Sequence, residues 1–356
     1  NTVTLKAADT DVTGVHTAMN PGSITGHMNM YGSPVAGADS LVLTTQQGSV
    51  FFDLNALTRP LVADKLDTDS YKDDPNTNSD DQVGRIGNVV ANSKSGDIRI
   101  DLNTVSVPKV SSSDAVRYTS IGNISAMTGS SYQVVAGAAN DVLRAPGNIT
   151  ITASKHSSGI LGNISAQTAV GDIRFGANSV FNHQVGDITL RAGSYSDGSV
   201  LDAGDVYFQG TFASTNNNSG NYETTIGVVT LSAAGAVSNA GVGVAGNVYV
   251  NTDFRSRWSD TDADGKIDLG EQALFRGGAF AVSVTDGQIS YEVNSAADAF
   301  GFGAQLPATL LRSTGTSTFA GTGNITIDNT GFEAGFSRIG SFTTETVDGD
   351  VSFYAK

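Results

Sequence analysis

The chain has 356 residues, with 42 glycines, seven prolines, no cysteine and a formal net charge of −15. So much glycine beside so little proline, with only 15% charged residues, suits many short strands joined by tight turns, and excludes a disordered or collagen-like chain. The acidic balance excludes nucleic acid as a partner and favours cations, and the missing cysteines remove disulfides and thiolate metal sites.

The opening NTVTLKA reads as a strand with no leader before it, so any secretory signal lies outside this numbering. The segment LVLTTQQGSVFFDL at 41–54 predicts a pair of strands. No stretch reaches the ~20 apolar residues of a membrane helix, the nearest, 233–250, being diluted by Gly, Ser and Asn, so no membrane span is expected.

A short unit then dominates the chain. Gly is followed by Asn, Asp or a similar residue, then by Ile or Val, then by alternating polar and apolar positions, in fifteen copies between Gly22 and Gly349. Examples are GDIRIDL at Gly96, GNITITA at Gly147, GDITLRA at Gly186 and GDVSFYA at Gly349. Glycine permits a backbone path that a side chain would block, Asn or Asp closes the turn through its own side chain, and the β-branched residue begins a strand. Apolar residues at every second place, as in Ile98, Ile100 and Leu102, bury one strand face and wet the other.

Gly96, Gly122, Gly147 and Gly171 are separated by 26, 25 and 24 residues, and Gly162 and Gly186 by 24. A rung of about two dozen residues holding two or three short strands is the unit of a parallel β-helix. The expected fold is therefore all-β, a parallel β-helix (solenoid) with irregular terminal rungs; the alternative is a set of antiparallel β-sandwich or jelly-roll domains. The chain divides into an N-terminal β region (1–84), regular repeats (85–252), an insertion (253–285) and C-terminal β-repeats (286–356).

These repeats, and STFAGTGNITIDNTG near the end, resemble bacterial β-strand-repeat surface proteins: filamentous-haemagglutinin-like and autotransporter-like adhesins and surface-layer proteins. The resemblance covers about two thirds of the chain and implies surface structure, adhesion or assembly.

The insertion carries DTDADGKIDLGE, which has the spacing of an EF-hand calcium loop. Ca²⁺ takes about 6 to 8 hard oxygens. Asp260, Asp262 and Asp264 would supply carboxylates, Lys266 its carbonyl, Asp268 an oxygen directly or through water, and Glu271 both oxygens, around the turn at Gly265. The competing reading is an acidic turn that binds nothing. A second acidic segment at 64–81 lacks this spacing and reads either as a solvated loop or as an irregular calcium site built from Asp67, Asp69, Asp73 and Asp74. Ca²⁺ is thus the expected cofactor.

Catalytic signatures are sparse. His16, His27, His156 and His183 have no metal-site spacing, and no nucleophile elbow or phosphate loop occurs. Four Asn-x-Ser/Thr sequons, at Asn123, Asn148, Asn163 and Asn324, fall on the repeat's own Asn, which the turn explains without a glycan. Asp97, Asp172, Asp187 and Asp205 would be the carboxylates of a β-helix polysaccharide lyase or hydrolase, but Asn replaces Asp at this place in sibling copies, which favours a backbone role. Trp258, Phe275, Phe280 and Phe300 to Phe302 form an aromatic concentration that reads more readily as core than as a binding platform. The expected function is a secreted, extracellular, calcium-binding structural protein of a microbial cell surface, not an enzyme, self-associating into a surface layer or filament. The alternatives are an adhesin for a host or surface glycan and a polysaccharide-active enzyme.

Overall fold

In the computed structural model of the chain, the described residues are 2–7, 22–31, 39–45, 48–57, 84–93, 96–105, 119–129, 147–153, 159–168, 171–181, 183–193, 204–217, 220–222, 224–233, 246–258, 274–277, 280–284, 289–299, 310–313, 316–321, 325–329, 341–346 and 349–355. Every regular element among them is a strand. Among the described residues no helix is long and apolar enough to cross a membrane.

The strands form two large parallel sheets, one of 16 strands and one of 11. The chain passes from one to the other and back: Ile124–Thr128 lies in the larger sheet, Ile149–Ala153 in the smaller, Gly159–Leu161 and Ile164–Thr168 in the larger again, and Ile173–Phe181 in the smaller. One such passage is a rung. Successive rungs pair in register, Ile124 with Ile164 and Ile164 with Ile188 in the larger sheet, Ile149 with Ile173 and Ile173 with Val206 in the smaller. The larger sheet has two arms that meet on Arg85–Ser93, whose Arg85 and Ile86 pair with Thr119–Ile121 and whose Val89 to Ser93 pair with Ile124–Thr128. The antiparallel sandwich is therefore not the arrangement. Antiparallel pairing occurs among the described strands at one place, where Thr215 to Asn217 fold back on Gly220 to Tyr222.

Period-two alternation explains the interior. In ITITA at 149–153 the burial runs buried, intermediate, buried, intermediate, buried, and the inward residues of all rungs merge into one apolar core. Like falls on like along each column: Val50, Ile98, Ile149, Ile173, Val206, Val248 and Ile289 follow one another fully buried in the smaller sheet. Each such side chain contributes roughly 1.5–3 kcal/mol by leaving water. Phe175 stacks on Phe208 with centroids 5.3 Å apart, and Phe280 from the larger sheet meets Phe208 edge-on at 5.8 Å, so the two sheets share this core.

The expected near-constant spacing needs correction. The regular series Gly96, Gly122, Gly147, Gly171 mixes two columns: Gly96, Gly147 and Gly171 open strands of the smaller sheet, while Gly122, Gly162 and Gly186 open strands of the larger. True partners in successive rungs stand as few as 24 and as many as 51 residues apart. In the larger sheet Ile124–Thr128, Ile164–Thr168 and Ile188–Ala192 keep one length of 5 residues, while strands of the smaller sheet run from 5 to 12 residues and the connections between sheets vary as well. Pairing also runs on through Phe254 to Trp258, Leu274 to Gly277 and Phe280 to Val284, inside the segment read as an insertion.

Candidate functional site

The residues predicted to bind calcium, Asp260, Asp262, Asp264, Lys266, Asp268 and Glu271, lie outside the described residues, as do Asp67, Asp69, Asp73 and Asp74. The structure does fix where each acidic segment leaves and rejoins the sheets. The segment with the EF-hand spacing follows Val248–Trp258 of the smaller sheet and precedes Leu274–Gly277 of the larger; the other follows Val50–Leu57 of the smaller and precedes Arg85–Ser93 of the larger. Both therefore occupy the same connection, from the smaller sheet to the larger, in different rungs.

The Gly-Asx pairs act between rungs. The backbone N–H of Asn123 donates to Oδ1 of Asn88 (3.0 Å), that of Asn163 to Asn123 (2.9 Å), that of Asp187 to Asn163 (3.0 Å) and that of Val228 to Asp187 (2.8 Å). A second ladder on the smaller sheet runs through Ser23, Ser49, Asp97, Asn148, Asp172, Asp205 and Asn247, each N–H after the first donating to the side-chain oxygen of the residue before it. The side chain thus closes onto the next rung instead of its own turn, which corrects the local-turn reading. The glycine before it is required by close approach: a Cβ on Gly96 would stand 2.2 Å from the carbonyl oxygen of Gly48.

A third contact was missed in the sequence. Buried Ser or Thr at the end of a strand in the larger sheet holds the corner into the smaller sheet: Ser93 Oγ donates to the Gly48 carbonyl (3.0 Å) and accepts the Gly96 N–H (2.6 Å), and Thr168 Oγ1 donates to the Gly147 carbonyl (3.2 Å) and accepts the Gly171 N–H (2.9 Å). Its signature is Ser/Thr-x-x-Gly, seen as Thr45/Gly48, Ser93/Gly96, Thr168/Gly171 and Thr346/Gly349. Among the buried side-chain polar atoms described, Thr252 Oγ1 has no hydrogen-bond partner.

On the outward face of the smaller sheet three neighbouring rungs build a polar and aromatic cluster. The Arg174 guanidinium lies 4.1 Å over the Tyr207 ring and donates to Asp172 (3.2 Å). Tyr207 stacks on Tyr249 at 5.0 Å between centroids, nearly parallel at 16°, and its hydroxyl donates to Asp205 Oδ2 (3.0 Å). Asp205 Oδ1 accepts from the backbone and side-chain nitrogens of Asn247 at 2.8 and 3.1 Å. Burial, then the hydrogen bond to Asp205 and its charge, push the Tyr207 hydroxyl above its ordinary range; burial and the Asp205 charge do the same for Tyr249. No protein family, curated protein or solved structure matches the chain.

Proposed function

We propose that the two sheets are faces of one parallel β-helix, and that the chain is a secreted structural subunit of a microbial cell surface that binds Ca²⁺ at 260–271. The reading is carried by one observation. The four acids of the repeat that could have served a polysaccharide-active enzyme, Asp97, Asp172, Asp187 and Asp205, each give an oxygen to the N–H of the following rung. Their chemistry is that of a frame, and it accounts for Asn and Asp exchanging freely at this place, since either supplies the acceptor.

The partner in this proposal is a second copy of the chain. Val351 and Phe353 stand in the columns of the buried Ile325 and Ile327, yet they are 45% and 53% exposed, and Val3 and Leu5 of the larger sheet are 41% and 39% exposed. Val351 and Phe353 share the columns of Ile24 and Gly26 in the smaller sheet, so a second copy stacked in the same register would extend that sheet. Calcium stabilises the folded chain by mass action on the loop.

The test is calcium titration of the chelated protein, followed by thermal melting and electron microscopy. Filaments or ordered sheets that form with Ca²⁺, and are lost in the double variant D264A/E271A, support the reading. A monomer whose melting temperature ignores Ca²⁺ overturns it.

A further inference from the structure

We infer that the outer face of the Tyr249 ring is a binding site for the apolar face of a neutral pyranose, one residue of a surface glycan. The inference stands apart from end-to-end assembly, because it concerns the side of the smaller sheet and not its edges.

The outward column that contains Tyr249 runs Thr150, Arg174, Tyr207, Tyr249, Ser290, Thr326. Its upper members cover one another: Arg174 takes one face of Tyr207, and Tyr249 takes the other. Past Tyr249 the column falls to Ser290 and Thr326, whose side chains are two or three heavy atoms long. A step one ring deep results, with an aromatic face as its wall and hydroxyl groups as its floor. Tyr249, Ser290 and Thr326 are all partly exposed, so the step opens to solvent. Strand spacing of about 4.8 Å, repeated at each rung, places a ring in the step at the same separation that Tyr207 already keeps from Tyr249.

The chemistry selects the guest. An aromatic wall gains dispersion contact from a flat set of C–H groups, and the equatorial hydroxyls of a pyranose reach outward to donors and acceptors at its rim. Ser290, beside Tyr249 in the register and partly exposed, offers a hydroxyl there. Ser290 and Thr326 are neutral, and the next outward column places two acids, Glu292 and Asp328, in register after Asn251, which stand against an anionic guest. The charged members of the cluster, Asp172, Arg174 and Asp205, lie on the Tyr207 side and bond to one another's neighbours, so the step favours an uncharged ring over a carboxylated or phosphorylated one. The net charge of −15 works in the same direction against anions.

The experiment is saturation-transfer NMR and titration of the full chain with neutral oligosaccharides of glucose, galactose and mannose, alongside an arginine-rich peptide as a cationic competitor for the same ring. Two variants accompany it. Y249A removes the wall. S290Y fills the step by lengthening the existing tyrosine stack, so it blocks the guest while keeping the fold, as its melting temperature will report. The expected result is binding of at least one neutral sugar, weakened about tenfold or more by each variant. The inference is overturned if the unmodified chain binds none of the sugars, if sugar binding survives S290Y, or if the peptide and not a sugar occupies the ring. Filament formation is unaffected by S290Y in every case, which separates this outcome from the assembly reading.

Discussion

The backbone N–H of Val228 donates to Oδ1 of Asp187 at 2.8 Å, and with Val228 the Asx ladder runs out of oxygens, because valine has none to pass on. Asp187 thereby does the work of an acceptor, and the charge is incidental. D187N should leave stability unchanged within ~0.5 kcal/mol, whereas D187A should cost about 1 kcal/mol, the net worth of one hydrogen bond. Urea unfolding of the two variants distinguishes the cases; equal losses would mean that the carboxylate charge matters.

The corner at Thr168 makes a sharper demand, because its hydroxyl is buried and bonded on both sides. T168V keeps the shape and strands the Gly147 carbonyl and Gly171 N–H without that partner. The expected cost is ~1–3 kcal/mol, and T168S should recover most of it. Thermal melting of the pair is the check.

Two glycines on the smaller sheet should behave in opposite ways. A methyl on Gly96 meets backbone of the preceding rung at 2.2 Å, which no side-chain rotation can relieve, so G96A should cost about 3 kcal/mol or more. A methyl on Gly176 finds nothing nearer than Thr152 Cγ2 at 4.0 Å, so G176A should be neutral or stabilise by ~0.5 kcal/mol. Chemical denaturation midpoints measured side by side would expose any error in the assigned register.

The tyrosine pair predicts a pH response. Both hydroxyls are held above the usual 10.0, so the folded state keeps protons that the unfolded state has released. Their contribution to stability is complete below pH ~10 and is lost as pH rises through the folded values. In absorbance titration at alkaline pH, two of the ten tyrosines should ionise late, and Y207F should remove one of them. A single ordinary tyrosine transition would contradict the cluster.

Strand identity was legible because the alternation in segments such as Ile149, Ile151 and Ala153 depends only on which face is wet. Parallel stacking was legible too, through the recurrence of Gly-Asx. The rung length was misread because the signal of a turn is local: Gly96 and Gly122 open similar turns but belong to different sheets, and nothing in either heptapeptide marks which. The Ser/Thr-x-x-Gly corner does not separate them by sequence alone, since that spacing precedes Gly48, Gly96, Gly171 and Gly349 of one column but also Gly122, after Thr119, and Gly227, after Thr224, of the other. Tyr207 and Tyr249 become neighbours only through register, 42 residues apart, and no local pattern announces that. The proposal of calcium at 260–271 comes wholly from Asp260 to Glu271 and their spacing.

Every ladder bond described above points from one rung to the next. Tension applied between the two ends of such a stack therefore loads rungs in series, while the bonds within each interface share the load in parallel. Failure starts at the interface with the fewest links and frees whole coils. A coil of 24 residues releases roughly 85 Å of chain and one of 51 roughly 180 Å, at ~3.5 Å per residue. Single-molecule extension should accordingly yield steps of unequal length, and the protein would act as a spring that lengthens in instalments instead of snapping.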